Sequence, residues 1–194
     1  MRRKIESEIC RFIELGQIMF KDKQLKESVE RTQELISTAL KGGNKILIFG
    51  NGGSAADAQH FAAELVCQFE RPRRALAAIA LTTDTSILTA QSNDYGFESV
   101  FSRQIQALCQ PGDVVFGITT SDVYHNRHSQ NIFEAFGAAR QKGAKRVGLF
   151  SVKTKNLLNF VDVAIQVPSE DTALIQQAHR LVIHLLCKLI EEEL

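Results

Sequence analysis

The chain has 194 residues, 44% hydrophobic and 23% charged, with 23 Lys and Arg against 22 Asp and Glu for a formal net charge of +1. That length and balance suit one globular domain with a sizeable core, and they exclude the strongly basic footprint of a dedicated nucleic-acid binder. No apolar run approaches the ~20 residues that span a bilayer, and Met1-Arg2-Arg3-Lys4 leads into no signal-type core, so a cytoplasmic protein without a membrane partner is expected.

Apolar positions at helical spacing, Ile5, Ile9, Phe12 and Ile13 and then Leu25, Val29, Leu35, Ile36 and Leu40, predict helices over residues ~3–20 and ~23–41, the second ended by Gly42-Gly43. The first is too small to bury its stripe alone and is expected to pack on the core or on another subunit. From Lys45 onward short aliphatic strands are predicted at Lys45–Phe49, Leu76–Leu81, Val114–Ile118, Arg146–Phe150 and Val163–Val167. Helical stretches lie between them at ~54–69, ~84–91, ~98–108, ~131–142 and ~154–159, and a long helix closes the chain at ~171–193. This alternation predicts a doubly wound α/β fold. Its parallel sheet carries helices on both faces, and ligands gather at the carboxyl ends of the strands.

The first strand stops at Gly50-Asn51-Gly52-Gly53-Ser54 and a helix begins there. Glycines let the backbone take positive φ and bring N–H groups close to a ligand, and a helix N-terminus favours an anion such as phosphate. The following helix carries His60 and Glu64 four residues apart, hence on one face. An imidazole and a carboxylate beside a phosphate cradle suit either a divalent metal or proton transfer, though a plain helix cap with a His–Glu surface pair has the same spacing.

The other strand ends supply Thr82-Thr83-Asp84, the run Ser92-Asn93-Asp94-Tyr95-Gly96-Phe97, and Thr119-Thr120-Ser121 as a second phosphate-binding turn. The last helix bears Gln176, His179 and His184. Cys10, Cys67, Cys109 and Cys187 are scattered with no C-x-x-C pair and are expected as reduced thiols.

Taken together, Gly50–Ser54, Ala58-Gln59-His60-Phe61-Ala62-Ala63-Glu64, Asn93–Phe97, Gly117–Ser121 and Ile175-Gln176 with Ile183-His184 resemble the phosphoheptose isomerases, which are sugar isomerase (SIS) domain proteins. The likeness runs nearly end to end. It implies a three-layer α/β/α sandwich with a five-stranded parallel sheet, one SIS domain over residues 1–194 with an N-terminal helical extension over about 1–42, a homotetramer and one zinc ion per subunit. By position it implies His60, Glu64, Gln176 and His184 as zinc ligands, with Asn51, Gly52, Gly53, Ser54, Glu64, Asn93, Asp94, Thr119, Thr120, Ser121 and Gln176 lining a sugar phosphate pocket. The implied reaction interconverts sedoheptulose 7-phosphate and D-glycero-D-manno-heptose 7-phosphate through an enediol, feeding heptose into lipopolysaccharide or other glycans.

Such a reaction needs a base and an acid. Glu64 is the expected base, since a carboxylate partly removed from water takes up a proton more readily, and His184 is its expected acid partner. A metal or the N–H groups of the turn would stabilise the enediolate. Gln176 and His184 stand eight residues apart, a rise of ~12 Å on one helix. To share one ion they must lean together or meet at a subunit contact.

The phosphate loop departs from the family. After Ser121 it runs Asp122-Val123-Tyr124-His125-Asn126-Arg127-His128-Ser129, with an insertion and without the usual glycine, so Ser129 is expected to replace the family's last serine. Asp122 would bring negative charge toward a phosphate, offset by Arg127 and the loop histidines. His125 and His128 read as exposed loop residues rather than a second metal site. Gln68 and Leu174 replace two arginines common in the family, which would weaken anion binding or change the substrate. Two non-catalytic alternatives accompany the isomerase: a SIS protein that binds the bacterial replication initiator, and a sugar-phosphate sensor.

Overall fold

In the computed structural model, which describes residues 1–123 and 129–194, five strands form one parallel sheet in the order β2-β1-β3-β4-β5. They are β1 (Ile46–Gly50), β2 (Ala78–Ala80), β3 (Val114–Ile118), β4 (Lys145–Ser151) and β5 (Val163–Val167). The helices are α1 (Arg2–Lys21), α2 (Lys23–Lys41), α3 (Gly53–Val66), α4 (Thr85–Tyr95), α5 (Val100–Leu108), α6 (Gln130–Gln141) and α7 (Thr172–Glu193). The expected fold class, α/β with three layers, is what forms.

Strand β1 shows why both faces are covered. Ile46 and Ile48 enter a core shared with α2, α3 and α7, while Leu47 and Phe49 enter a second core shared with α5 and α6. Successive strand residues point to opposite faces, so a continuous aliphatic run needs a helix layer on each side. The strand order reverses at β1, which pairs with β2 on one edge and β3 on the other. Loops leaving the carboxyl ends of β1 and β3 therefore diverge and open a crevice there, where ligands collect in this topology.

Three elements differ from expectation. Strand β2 keeps three residues of a predicted six, and the stretch predicted helical at ~154–159 is a 3-10 turn at Asn156–Phe160. Helix α3 ends at Val66 rather than ~69. There Arg73 takes the carbonyls of Glu64 and Leu65, at 2.7 and 2.9 Å, while the N–H groups of residues 69–71 turn to Glu191. Side chains that satisfy the last carbonyls and the following donors stop a helix.

Of the N-terminal extension, α2 is fully part of the core, with Ile36 and Leu40 buried, whereas α1 buries only Leu15 and Met19. Asp171 caps α7 through the N–H groups of Ala173 and Leu174 and pairs with Arg11 at 2.7 Å, tying α1 to the last helix. Helix α1 leaves Ile5, Ile9 and Ile13 each more than half exposed. All four cysteines are free, Cys10 and Cys67 exposed and Cys109 and Cys187 buried. Among the described residues no helix is long and apolar enough to cross a membrane.

Candidate active site

A cavity of about 620 Å³ opens at the β1/β3 crevice. Asn51, Gly52, Gly53 and Ser54 line it from the first turn, Thr119, Thr120 and Ser121 from the turn after β3, Ser129, Gln130 and Asn131 from the start of α6, and Gln176 from α7. Gly52 sits at φ 56° and ψ −120°, which a side chain would oppose, and this lets α3 start at once, with the Ser54 and Ala55 N–H groups donating back to the Asn51 and Gly52 carbonyls at 3.0 Å. Asn51 and Asn131 exchange two amide hydrogen bonds, of 2.9 and 2.8 Å, locking the glycine turn to α6. The second turn is held by hydroxyls: the Ser121 N–H donates to Thr119 Oγ1 at 3.1 Å, and Thr154 donates to the Ser121 carbonyl at 3.2 Å.

Asp122 does not face this cavity. Its buried carboxylate accepts the N–H groups of Lys155, Asn156 and Leu157, at 2.8, 2.8 and 3.3 Å, and caps the 3-10 turn. The expected conflict with a bound phosphate is thereby corrected, because the charge is spent on backbone donors pointing the other way. The positions expected to offset it, His125, Arg127 and His128, lie outside the described residues.

Asn93 and Asp94 are also placed differently from expectation. Helix α4 has no buried residue, and both side chains are exposed on its last turn, bonded to each other at 2.8 Å. The chain turns at Gly96, so that Phe97 and Glu98 form that cavity wall instead.

Helices α3 and α7 pack side by side and run in the same direction. Gly53 lies against the Gln176 amide, Asp57 pairs with Arg180 at 2.6 Å, and His60 Nε2 stands 2.8 Å from His184 Nε2. Glu64 Oε1 is 3.5 Å from His60 Nε2. The structure therefore gathers His60, Glu64 and His184 at one point and leaves Gln176 at the cavity, separated from them by the Asp57–Arg180 pair. Seven residues from Gly53 to His60 are a rise of ~10 Å, which is why Gln176 does not join the other three within this chain. For the same reason Glu64 stands beyond the residues that line the cavity.

Burial, and then the nearby Arg180 charge, lower the His60 pKa against the opposing pull of Glu64, so a neutral imidazole is favoured. Burial raises the Asp57 pKa, and Arg180 offsets it. Among the described residues no group of three or more His, Cys, Asp or Glu side chains is already arranged to hold a metal ion. The 2.8 Å His60–His184 separation is a hydrogen-bond length, shorter than the ~3.3 Å between two nitrogens that share a tetrahedral zinc at Zn–N distances of ~2.0–2.1 Å. In donor type the three groups nevertheless fit: two imidazole nitrogens directed at one another with a carboxylate beside them are ligands zinc takes.

Sequence reading gave no role to Asn131, Glu98 or the Asp57–Arg180 pair, and named Phe97 only as the end of the Asn93–Phe97 run. Arg180 had a signal, since Gln176, Arg180 and His184 recur every fourth residue and Asp57 stands one turn before His60. Asn131 had none, because its partner is Asn51, 80 positions away.

The SIS domain family matches over residues 16–151, so the chain belongs to the SIS domain proteins. A phosphoheptose isomerase of Syntrophotalea carbinolica is 52% identical over 168 residues, covering 87% of this chain and 83% of that protein. Within the SIS class, the chain belongs to the phosphoheptose isomerase family. Two solved structures carry the same name. That of Neisseria gonorrhoeae superposes with a TM-score of 0.88 at 40% identity, covering 98% of each chain. That of Francisella tularensis gives 0.91 at 34% identity, covering 98% of this chain and 97% of the other.

Proposed function

We propose that this protein is a ketose–aldose isomerase that interconverts sedoheptulose 7-phosphate and D-glycero-D-manno-heptose 7-phosphate in the supply of heptose for lipopolysaccharide or related glycans. The observation that carries the reading is the α3–α7 helix pair, with the turns that line the cavity at one end and His60, Glu64 and His184 at the other. A phosphate bound at the glycine turn and at Thr119–Ser121 anchors one end of an open-chain sugar, and the carbons that react lie far from the phosphate in a 7-phosphate. The span between the ends, ~10 Å of helix, is on the scale of such a chain.

Glu64 removes the proton from the carbon beside the carbonyl, and His184 exchanges a proton with the neighbouring oxygen as the enediol forms and collapses. The lowered His60 pKa keeps that imidazole neutral, and Arg180 keeps positive charge nearby. His60, Glu64 and His184, with Gln176 as the fourth donor the family implies, are the residues that would hold zinc. When bound, zinc polarises a substrate oxygen. The non-catalytic alternatives have no observation in their favour, since the proton-transfer residues are present and meet.

We further propose a homotetramer in the cytoplasm. The exposed Ile5, Ile9 and Ile13 stripe of α1 supports a self-association surface, as an apolar face of this kind otherwise stays in water. The test of function is to incubate the purified, zinc-loaded protein with sedoheptulose 7-phosphate and follow the aldose phosphate, with Glu64→Gln as control. Turnover that the substitution abolishes supports the reading. A folded, zinc-bound protein without turnover overturns it.

A further inference from the structure

The segment between α3 and β2 carries an aromatic ring to the proton-transfer centre, and its anchoring is unusually complete. Phe69 lies flat on His184, with ring centroids 5.1 Å apart and planes at 23°. Its own N–H donates to Glu191 Oε1 at 2.7 Å, while those of Glu70 and Arg71 donate to Glu191 Oε2 at 2.9 and 3.1 Å. Glu191, on the last turns of α7, is buried, with its side chain 1% exposed. Arg73 Nε stands 3.0 Å from Glu191 Oε1, an ion pair that falls short of an aligned hydrogen bond. The Arg73 guanidinium also donates to the carbonyls of Glu64 and Leu65.

One buried carboxylate thus reaches both proton-transfer residues. Through Phe69 it bears on the ring of His184, and through Arg73 on the backbone of Glu64. Resting on the isomerase reading above, we infer that Phe69, Glu191 and Arg73 are positioning residues. They form a clamp that holds His184 in the rotamer facing His60 and keeps the end of α3 from fraying beneath Glu64. A flat ring against one face of an imidazole blocks rotation out of plane and keeps water from that face. A buried carboxylate that accepts three N–H groups fixes the segment carrying the ring, and it is costly to disturb because each donor would be left without a partner. Partners that orient metal-ligating side chains commonly account for ten- to a hundredfold in metal affinity or activity, and the same scale is expected for a group that orients His184.

The test compares Phe69→Leu, Phe69→Tyr and Glu191→Gln, with Glu192→Gln as a matched control, since Glu192 is an exposed neighbour that pairs with the exposed Arg71. Two readouts are taken: kcat and KM with sedoheptulose 7-phosphate, and the His184 ring-proton resonances of the substrate-free protein labelled at histidine. Expected for Phe69→Leu is a fall in kcat of about tenfold or more with KM little changed, and a downfield move of the His184 protons as they leave the shielding face of the ring. Phe69→Tyr keeps both wild-type values, Glu191→Gln follows Phe69→Leu, and Glu192→Gln changes neither. An unchanged kcat in Phe69→Leu, or an unmoved His184 resonance, overturns the clamp. If Glu191→Gln does not fold, the Phe69 variants decide alone. If the wild-type protein does not turn over the heptose phosphate, the isomerase reading falls and the resonance decides the clamp: moved, it stands; unmoved, it fails.

Discussion

At one end of the α3–α7 pair, Gly53 rests against Gln176 beside the two turns that line a cavity. Two helical turns further on, His60 meets His184 next to Glu64. The first end works through backbone conformation and neutral amides, with Asn51 and Asn131 paired to hold the turn. The second gathers two imidazoles and a carboxylate, set by burial and by one another. On the proposed isomerase reading, binding and chemistry are separable along one helix pair, and damage at each end should register in a different kinetic constant.

The sharpest break falls at the chemical end. Glu64→Gln keeps the shape and removes the proposed base, and kcat is expected to fall by roughly 10²–10⁴ while KM stays near wild type. Steady-state kinetics check this, and an equal rise in KM would mean that the ends are not separable.

Both ends depend on α7, which His179 ties to the sheet by donating from Nε2 to the Phe150 carbonyl at 3.0 Å. Burial lowers the His179 pKa to about 4, against an ordinary value of ~6.5. Between those values the unfolded chain binds more protons than the folded one, so stability is full above pH ~6.5 and is lost as pH falls toward 4. The shift corresponds to roughly 3 kcal/mol. Urea denaturation at pH 7 and pH 5 should show the loss, and His179→Gln should flatten it.

At the binding end, Asn131→Ala leaves Asn51 without its partner and frees the glycine turn. KM is expected to rise roughly tenfold, for a loss of about 1–2 kcal/mol, with kcat held. Gly53→Ala sharpens the same point, since its Cβ would overlap the Gln176 amide, the free end of a flexible side chain. It should raise KM while leaving Tm nearly unchanged.

The smallest effect belongs to Asp122→Asn. Weakening the cap on residues 155–157 should cost about 1 kcal/mol, or a Tm lower by ~2–4 °C, with KM unchanged. A fall in KM would mean that the carboxylate does face the phosphate.

Much of this arrangement was legible along the chain. Aliphatic runs with helical stretches between them marked all five strands and the layer order, because a parallel strand buried on both faces must be apolar throughout. The glycine turn, His60 and Glu64 were readable because they lie within one strand, turn and helix. What failed to read had distant causes. The end of α3 depends on Arg73 and Glu191, the wall of the cavity on Phe97 and Glu98 rather than Asn93 and Asp94, and the direction of Asp122 on donors 33 to 35 positions away.

The sequence alone determined the element types, the doubly wound class and the chemistry at hand, since spacing fixes which side chains share a helix face and strand patterning fixes which faces are covered. Only the tertiary structure decided which groups meet. The parallel packing of α3 on α7 brings His184 to His60 and keeps Gln176 at the cavity, and it places Phe69 on His184 through Glu191. Those distances follow from how two helices pack against a sheet, and no local pattern encodes that.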